Sequence, residues 1–204
     1  MEKLKMIENI LDESALEELK KLNVKILGVI GKGHRGVVLK GIYKNKEVAI
    51  KIPRRDAPKN NLLNEALILK KIEKFNFSPK VYAYGKNYII MEYINGEELK
   101  KIVDKLNKEE LIKVVKDILK ITLILDLEGI EHKEIQGGRH FLIGDKVYII
   151  DFEKAKEKRT FKNFTSALSM LFVDGYIAKI VKEKIEVDDN FIREFGKFYK
   201  KLFR

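Results

Sequence analysis

Three glycines, Gly31, Gly33 and Gly36, stand close together in the stretch GKGHRGVVLKG. Without Cβ atoms, such a backbone lets its N–H groups come close to phosphate oxygens. A lysine, Lys51, ends the stretch VAIK, and an acid, Glu65, follows fourteen residues later. Much later come HKE at 132–134, GGRH at 137–140 and DFE at 151–153. They supply carboxylates at Glu134 and Asp151 and an imidazole at His140, groups that can move a proton or hold a divalent ion. Each feature alone has an ordinary reading: a turn, a solvated lysine, a surface acid. Only their joint spacing could lift them above it.

The elements that must position these residues can be read from the pattern. Residues 2–22 carry apolar positions at helical spacing and read as an amphipathic helix. VKILGVI, GVVLKGIY and EVAIKI are short β-branched runs between turn residues, so they read as a three-strand antiparallel meander. The glycines therefore lie between two strands. A dinucleotide-binding loop would follow a strand and open a helix, which this loop does not do. KNNLLNEALILKKIEK reads as a helix, and KVYAYG and NYIIMEYI as two more strands. INGE at 94–97 is the natural joint. Beyond it, GEELKKIVDKL, KEELIKVVKDILKITLILDLEG, FTSALSMLFVDGYIAKIVKEK and NFIREFGKFYKKLF read as helices, HKEIQGGRH as a loop and FLIGDKVYIIDF as a hairpin. The expected organisation is an N-terminal helix (1–22), a β-rich lobe (23–95) and a helical lobe (96–204).

Of the 204 residues, 45% are apolar and 36% charged, as in a globular protein with a charged surface. Gln occurs once and Cys and Trp never. This bias fits a hot-growing organism, where ion-pair networks gain value and labile residues are avoided. The lack of cysteine excludes disulfides, a thiolate nucleophile and Cys-based zinc sites. No apolar run reaches the roughly 18 residues that span a bilayer. The opening stretch is charged throughout and unlike a secretory leader, so the cytoplasm is the expected location, without membrane contact. The net charge of +11 attracts anions in general, among them nucleotides, RNA and acidic proteins.

In order and spacing, the motifs resemble the eukaryotic-type protein kinase superfamily over roughly residues 24 to 155. The resemblance implies an α+β, two-lobed kinase-like fold with a β-rich N-lobe and a truncated α-helical C-lobe. It implies ATP as the nucleotide and Mg2+ or Mn2+ as the metal. Gly31, Gly33 and Gly36 would cover the triphosphate, and Val38 and Ala49 would pack on the adenine. Lys51 would pair with the α- and β-phosphates, held by Glu65. Met91 would stand at the back of the adenine pocket, the backbones of Glu92 and Ile94 at the adenine edge, and Glu98 at the ribose. Asp151 would hold the metal, and Glu134 would be the acid–base residue.

The catalytic loop departs from the family pattern. Glu134 replaces the usual aspartate, and Gln136 stands where Ser/Thr kinases commonly carry a lysine. The metal-binding asparagine is missing. Its place falls to His140 or to Arg139, depending on where the loop is aligned. An imidazole can bind a metal and suits manganese better than magnesium. DFE replaces DFG, and no Ala-Pro-Glu follows. In these respects the chain resembles the small atypical archaeal Ser/Thr kinases of the RIO and Bud32 kind. The implied activity is transfer of the ATP γ-phosphoryl group to a protein hydroxyl. The alternatives are a nucleotide-binding pseudokinase that regulates or scaffolds a partner, and an ATPase or small-molecule phosphotransferase on the same fold. The basic stretches KIPRRDAPKN and KAKEKRTFKN read either as solvated rims or as docking sites for an acidic protein, RNA or a ribonucleoprotein. No RNA-binding aromatic motif accompanies them.

Overall fold

A computed structural model of the chain describes residues 11–33, 36–56 and 61–203. The chain divides into two compact units, Met1–Ile94 and Asn95–Arg204.

In the first unit, the β-branched runs become strands β1 (Lys25–Lys32), β2 (Gly36–Tyr43) and β3 (Lys46–Pro53), followed by β4 (Val81–Tyr84) and β5 (Ile89–Glu92). They form one antiparallel sheet in the order β1-β2-β3-β5-β4, so β3 lies in the middle. Strand β2 alternates between buried and half-buried positions, whereas the last six residues of β3 are all buried. Such a central strand must be covered on both faces. Helix α1 (Glu13–Lys21) covers one of them: Leu11, Ala15 and Leu19 pack with Val37, Leu39, Val48, Ile50 and Ile52. Helix α2 (Leu62–Ile72) buries Leu62, Glu65, Ala66, Ile68, Leu69 and Ile72.

Of the expected helix over 2–22, the described residues are helical only from Glu13 to Lys21. Leu11 forms an isolated bridge with Arg54, and α1 begins only at Glu13. The Asp12 carboxylate accepts from the Ala15 amide (3.0 Å) and the Ser14 hydroxyl (2.5 Å), which caps the helix there. Residues 1–10 lie outside the described residues.

In the second unit, a short strand β6 (Glu97–Glu98) precedes a one-turn helix α3 (Leu99–Ile102). The expected helix from residue 96 is thus a strand at its start, because Glu97 and Glu98 pair with Ile143 and Leu142. Helix α4 (Lys108–Leu127) opens with a capping box: the Asn107 side chain accepts from the Glu110 amide, and the Glu110 carboxylate accepts from the Asn107 amide (both 2.9 Å). Its buried face runs through Leu111, Val114, Val115, Ile118, Ile121, Thr122, Leu125 and Asp126. Next come β7 (Ile130–Glu131), the hairpin β8 (Phe141–Ile143) and β9 (Val147–Ile149), and β10 (Lys156–Glu157), which pairs with β7.

The apolar run at 164–184 is not one helix. It forms α5 (Asn163–Leu168), a π-helical turn (Ser169–Val173) and α6 (Tyr176–Lys184), with a bend of 64°. The break falls at Gly175, whose φ of +96° suits glycine. Helix α7 (Asp189–Leu202) follows. Among the described residues, no single helix is long and apolar enough to cross a membrane. The apolar side chains of α5 and the π turn are mostly buried within the unit.

The glycines of the β1–β2 hairpin differ in what the fold demands. A Cβ on Gly36 would come within 2.8 Å of the Ile52 carbonyl oxygen, so the β2–β3 pairing needs glycine there. A Cβ on Gly31 would only touch Val38 at 3.6 Å, an ordinary contact. We therefore expect Gly36→Ala to lower stability by about 1–3 kcal/mol in denaturant unfolding. Gly31→Ala should leave the unfolding midpoint nearly unchanged, which frees its glycine for a role other than folding.

Candidate active site

The functional residues of the first unit are set by strand alternation. Ala49 and Lys51 point to the same side of β3, opposite to Val48, Ile50 and Ile52. Val38 lies directly across from Lys51, Gly31 across from Val38, and Met91 across from Ala49. Direct cross-strand partners share a face. The sheet thus gathers Gly31, Val38, Ala49, Lys51 and Met91 on the side away from α1. The Gly33 amide donates to the Gly36 carbonyl (2.8 Å), closing the glycine turn. His34 and Arg35 lie outside the described residues.

Lys51 meets α2 on that face. Its Nζ donates to Glu65 Oε2 at 2.8 Å, with Lys51 only 6% exposed and Glu65 1%. Truncating one partner of such a pair strands a buried charge at a cost of about 3–5 kcal/mol. Glu92 donates its amide to the Lys80 carbonyl (2.8 Å), so only its carbonyl could serve an adenine edge. Ile94 follows two residues later, just beyond β5.

In the second unit, the loop between β7 and β8 and the turn after β9 bring together Glu134, His140 and Asp151. One ligand atom from each lies within 4.8 Å of the others, and all three are half-buried. His140 Nδ1 is 3.8 Å from Asp151 Oδ2. Of the two residues that could stand for the missing asparagine, His140 faces Asp151, while Arg139 is exposed. The Asp151 carboxylate and the His140 imidazole suit a divalent cation, with Glu134 beside them, and the nitrogen donor favours manganese over magnesium. Glu98 belongs to the same unit and is held by Lys101 Nζ at 2.5 Å.

The backbone is contorted where these groups meet. Lys133 and Asp151 are left-handed, with φ of +73° and +64°, a conformation uncommon for residues other than glycine. At Lys133 it turns the Glu134 amide back onto His132 Nδ1 (3.3 Å). His132 is fully buried, and its Nε2 donates to the Ile150 carbonyl (3.1 Å). With one nitrogen accepting and the other donating, the ring is neutral. Burial pushes its pKa down to about 4. The left-handed residue of the DFE turn is Asp151 and not Glu153, so the backbone does not call for glycine at 153.

Beneath the loop lies a polar network that sequence reading did not find. The His132 amide donates to Asn163 Oδ1 (2.9 Å), and Asn163 Nδ2 donates to the Ile130 carbonyl (2.6 Å) and Asp126 Oδ1 (2.7 Å). Asp126 also accepts from the Asn163 and Phe164 amides (3.0 Å each) and from the Tyr199 hydroxyl (2.8 Å). Desolvation raises the Asp126 pKa against the pull of these bonds, and burial beside Asp126 raises that of Tyr199. A signal for Asp126 existed: it is a lone acid in the apolar run LILDL, on the buried face of α4. In sequence Lys154 is only one of several basic residues in KAKEKRTFKN, yet its Nζ contacts Glu134 Oε1 at 2.7 Å. Much of the other basic stretch is held by the chain itself. Arg54 pairs with Asp56, while Arg55 binds the Leu11 carbonyl and Glu13.

The profile of the family described as protein tyrosine and serine/threonine kinase matches residues 24–167. The chain belongs to the protein kinase superfamily. Phosphotransfer is the general chemistry of that superfamily. Relatives within reach include an uncharacterized protein of Methanocaldococcus jannaschii, 65% identical over 116 residues, which are 55% of this chain and all of that protein. The KEOPS complex subunit Bud32 of Pyrococcus abyssi is 35% identical over 58% of this chain and 53% of its own length. The dual specificity protein kinase zakA of Dictyostelium discoideum is 30% identical over 68% of this chain, but over only 20% of its own length. The chain thus spans about half of one of these named relatives and a fifth of the other.

The buried histidine of the kinase loop has a pH signature. Its folded pKa of about 4 lies below the ordinary 6.5, so the unfolded chain binds the extra proton. Its contribution is full above pH 6.5 and is lost as pH falls toward 4, in total about 3 kcal/mol. Asp126 tilts the other way, since a raised carboxyl favours the fold at low pH. Denaturant unfolding of wild type and His132→Gln from pH 7 to 4.5 isolates the histidine, and we expect the variant's profile to be flatter. Tyr199→Phe, which takes one donor from Asp126, should cost about 1–3 kcal/mol at neutral pH.

Proposed function

We propose that the chain is an ATP-dependent serine/threonine protein kinase of the small atypical type. The observation that carries this reading is the buried Lys51–Glu65 pair, which shares its sheet face with Gly31, Val38, Ala49 and Met91. A desolvated cation held at a fixed point beside a glycine turn is suited to a phosphate chain. ATP would supply the phosphoryl group, and a divalent cation would neutralise its charge. In this reading Lys51 binds phosphate oxygens and Glu65 keeps the ammonium aimed. Asp151 and His140 hold the cation. Glu134 takes the proton of the acceptor hydroxyl as that oxygen bonds to the γ-phosphorus and the bond to the β-phosphate oxygen breaks. These residues act mainly by positioning and by fixed charge.

The acceptor in this reading is a Ser or Thr of a protein. The likeness to a KEOPS complex subunit adds a multiprotein assembly as the setting to look in. The basic residues near the loop suit an acidic or ribonucleoprotein partner.

Purified protein with γ-labelled ATP and either Mg2+ or Mn2+, alone and with a generic acceptor protein, tests the reading. Label should reach protein, faster with Mn2+ than with Mg2+ because of the imidazole donor. Asp151→Asn should lower the rate by at least about a hundredfold. ATP binding without any turnover would support a pseudokinase instead. Release of phosphate with no labelled protein would point to an ATPase.

A further inference from the structure

We propose that Lys154 is the positioning cation of the catalytic loop, replacing the lysine absent at position 136. The inference rests on the kinase reading of Glu134 and extends it to a residue outside the family's motifs. Position 136 is not merely without a charge. The Gln136 amide donates to the Ser166 carbonyl at 3.0 Å, so that side chain is used to fasten the loop to α5. The charge comes instead from the far side of β9, where Lys154 Nζ lies 2.7 Å from Glu134 Oε1.

The turn that presents Lys154 is firmly anchored. The Ala155 amide donates to the Phe152 carbonyl (3.0 Å), and both Phe152 and Ala155 are fully buried. The Phe152 ring meets His132 edge-on, with centroids 4.7 Å apart. The same core residue thus supports the lysine turn and the histidine that holds the Glu134 amide. The side chains of the pair are partly exposed, 53% for Lys154 and 25% for Glu134. An ion pair so placed adds little to stability. Its effect is geometric. Glutamate has one more rotatable bond than the aspartate usual at this position, and a lysine on one carboxylate oxygen removes much of that freedom. The pair thereby lets a longer acid hold a fixed place in the loop.

Steady-state phosphoryl transfer and ATP hydrolysis by wild type, Lys154→Met, Lys154→Arg, Glu134→Gln and the Glu134→Gln/Lys154→Met double variant test this. We expect Lys154→Met to lower kcat roughly ten- to a hundredfold while KM for ATP stays within about twofold and Tm is unchanged. Lys154→Arg should retain activity within about threefold of wild type, since it keeps the charge. The double variant should be no slower than Glu134→Gln alone, because the lysine acts through the carboxylate. Active wild type with Lys154→Met equally active overturns the role of Lys154 and leaves the kinase reading standing. A full additional loss in the double variant also overturns it, by showing that the lysine acts apart from Glu134. Wild type with neither transfer nor hydrolysis overturns both.

Discussion

A carboxylate withdrawn from water must be met by donors from every side, and the second unit is arranged around that requirement at Asp126. Its two oxygens collect a side-chain amide, two backbone amides and a phenol. Those donors come from the start of α5 and from α7, so three helices are fixed to one point. Asn163 then passes the constraint upward, because its other atoms hold the His132 amide and the Ile130 carbonyl. The loop with Glu134 and His140 is therefore fastened from below by polar bonds. A purely apolar packing would leave its rotation and register less defined.

The first unit solves its positioning problem by a different means. A β-strand delivers side chains alternately to two faces, so a single strand can serve a core and a site at once. In β3 the odd positions Ala49 and Lys51 face the glycine turn's neighbours, while Val48, Ile50 and Ile52 close the core under α1. Alternation also explains why Lys51 can be buried at all. Its partner Glu65 stands on a helix whose remaining buried residues are apolar, so the ion pair is enclosed while each charge keeps its counterpart.

Local pattern makes the sheet legible, since period-two strands survive in one dimension, whereas the Lys51–Glu65 pair is legible only through the family resemblance. The long-range bonds left almost no trace. Lys154 lies in a run of five basic residues and one acid, where nothing local separates the residue that reaches Glu134 from its neighbours. Tyr199 looks like any aromatic on the amphipathic α7. The helix expected across 164–184 is broken for a physical reason. Its apolar periodicity is continuous, but the left-handed Gly175 and the π turn before it bend the axis, while α5 packs against α4 and α7. The place of Leu11 is not legible, because an apolar residue at helical spacing can equally bridge to a strand end, as Leu11 does with Arg54.

The bond from Tyr199 to Asp126 joins residues 73 positions apart, and this imposes an order in time. A ribosome adding about 5–20 residues per second needs roughly four to fifteen seconds to travel from one to the other. Within that interval Glu134, His140 and Asp151 are added, while the carboxylate beneath them still lacks its phenol. The acidic centre is synthesised before its foundation is finished. A newborn chain thus reaches its final loop geometry only after α7 has emerged and folded back, which gives synthesis itself a say in when the loop becomes fully set.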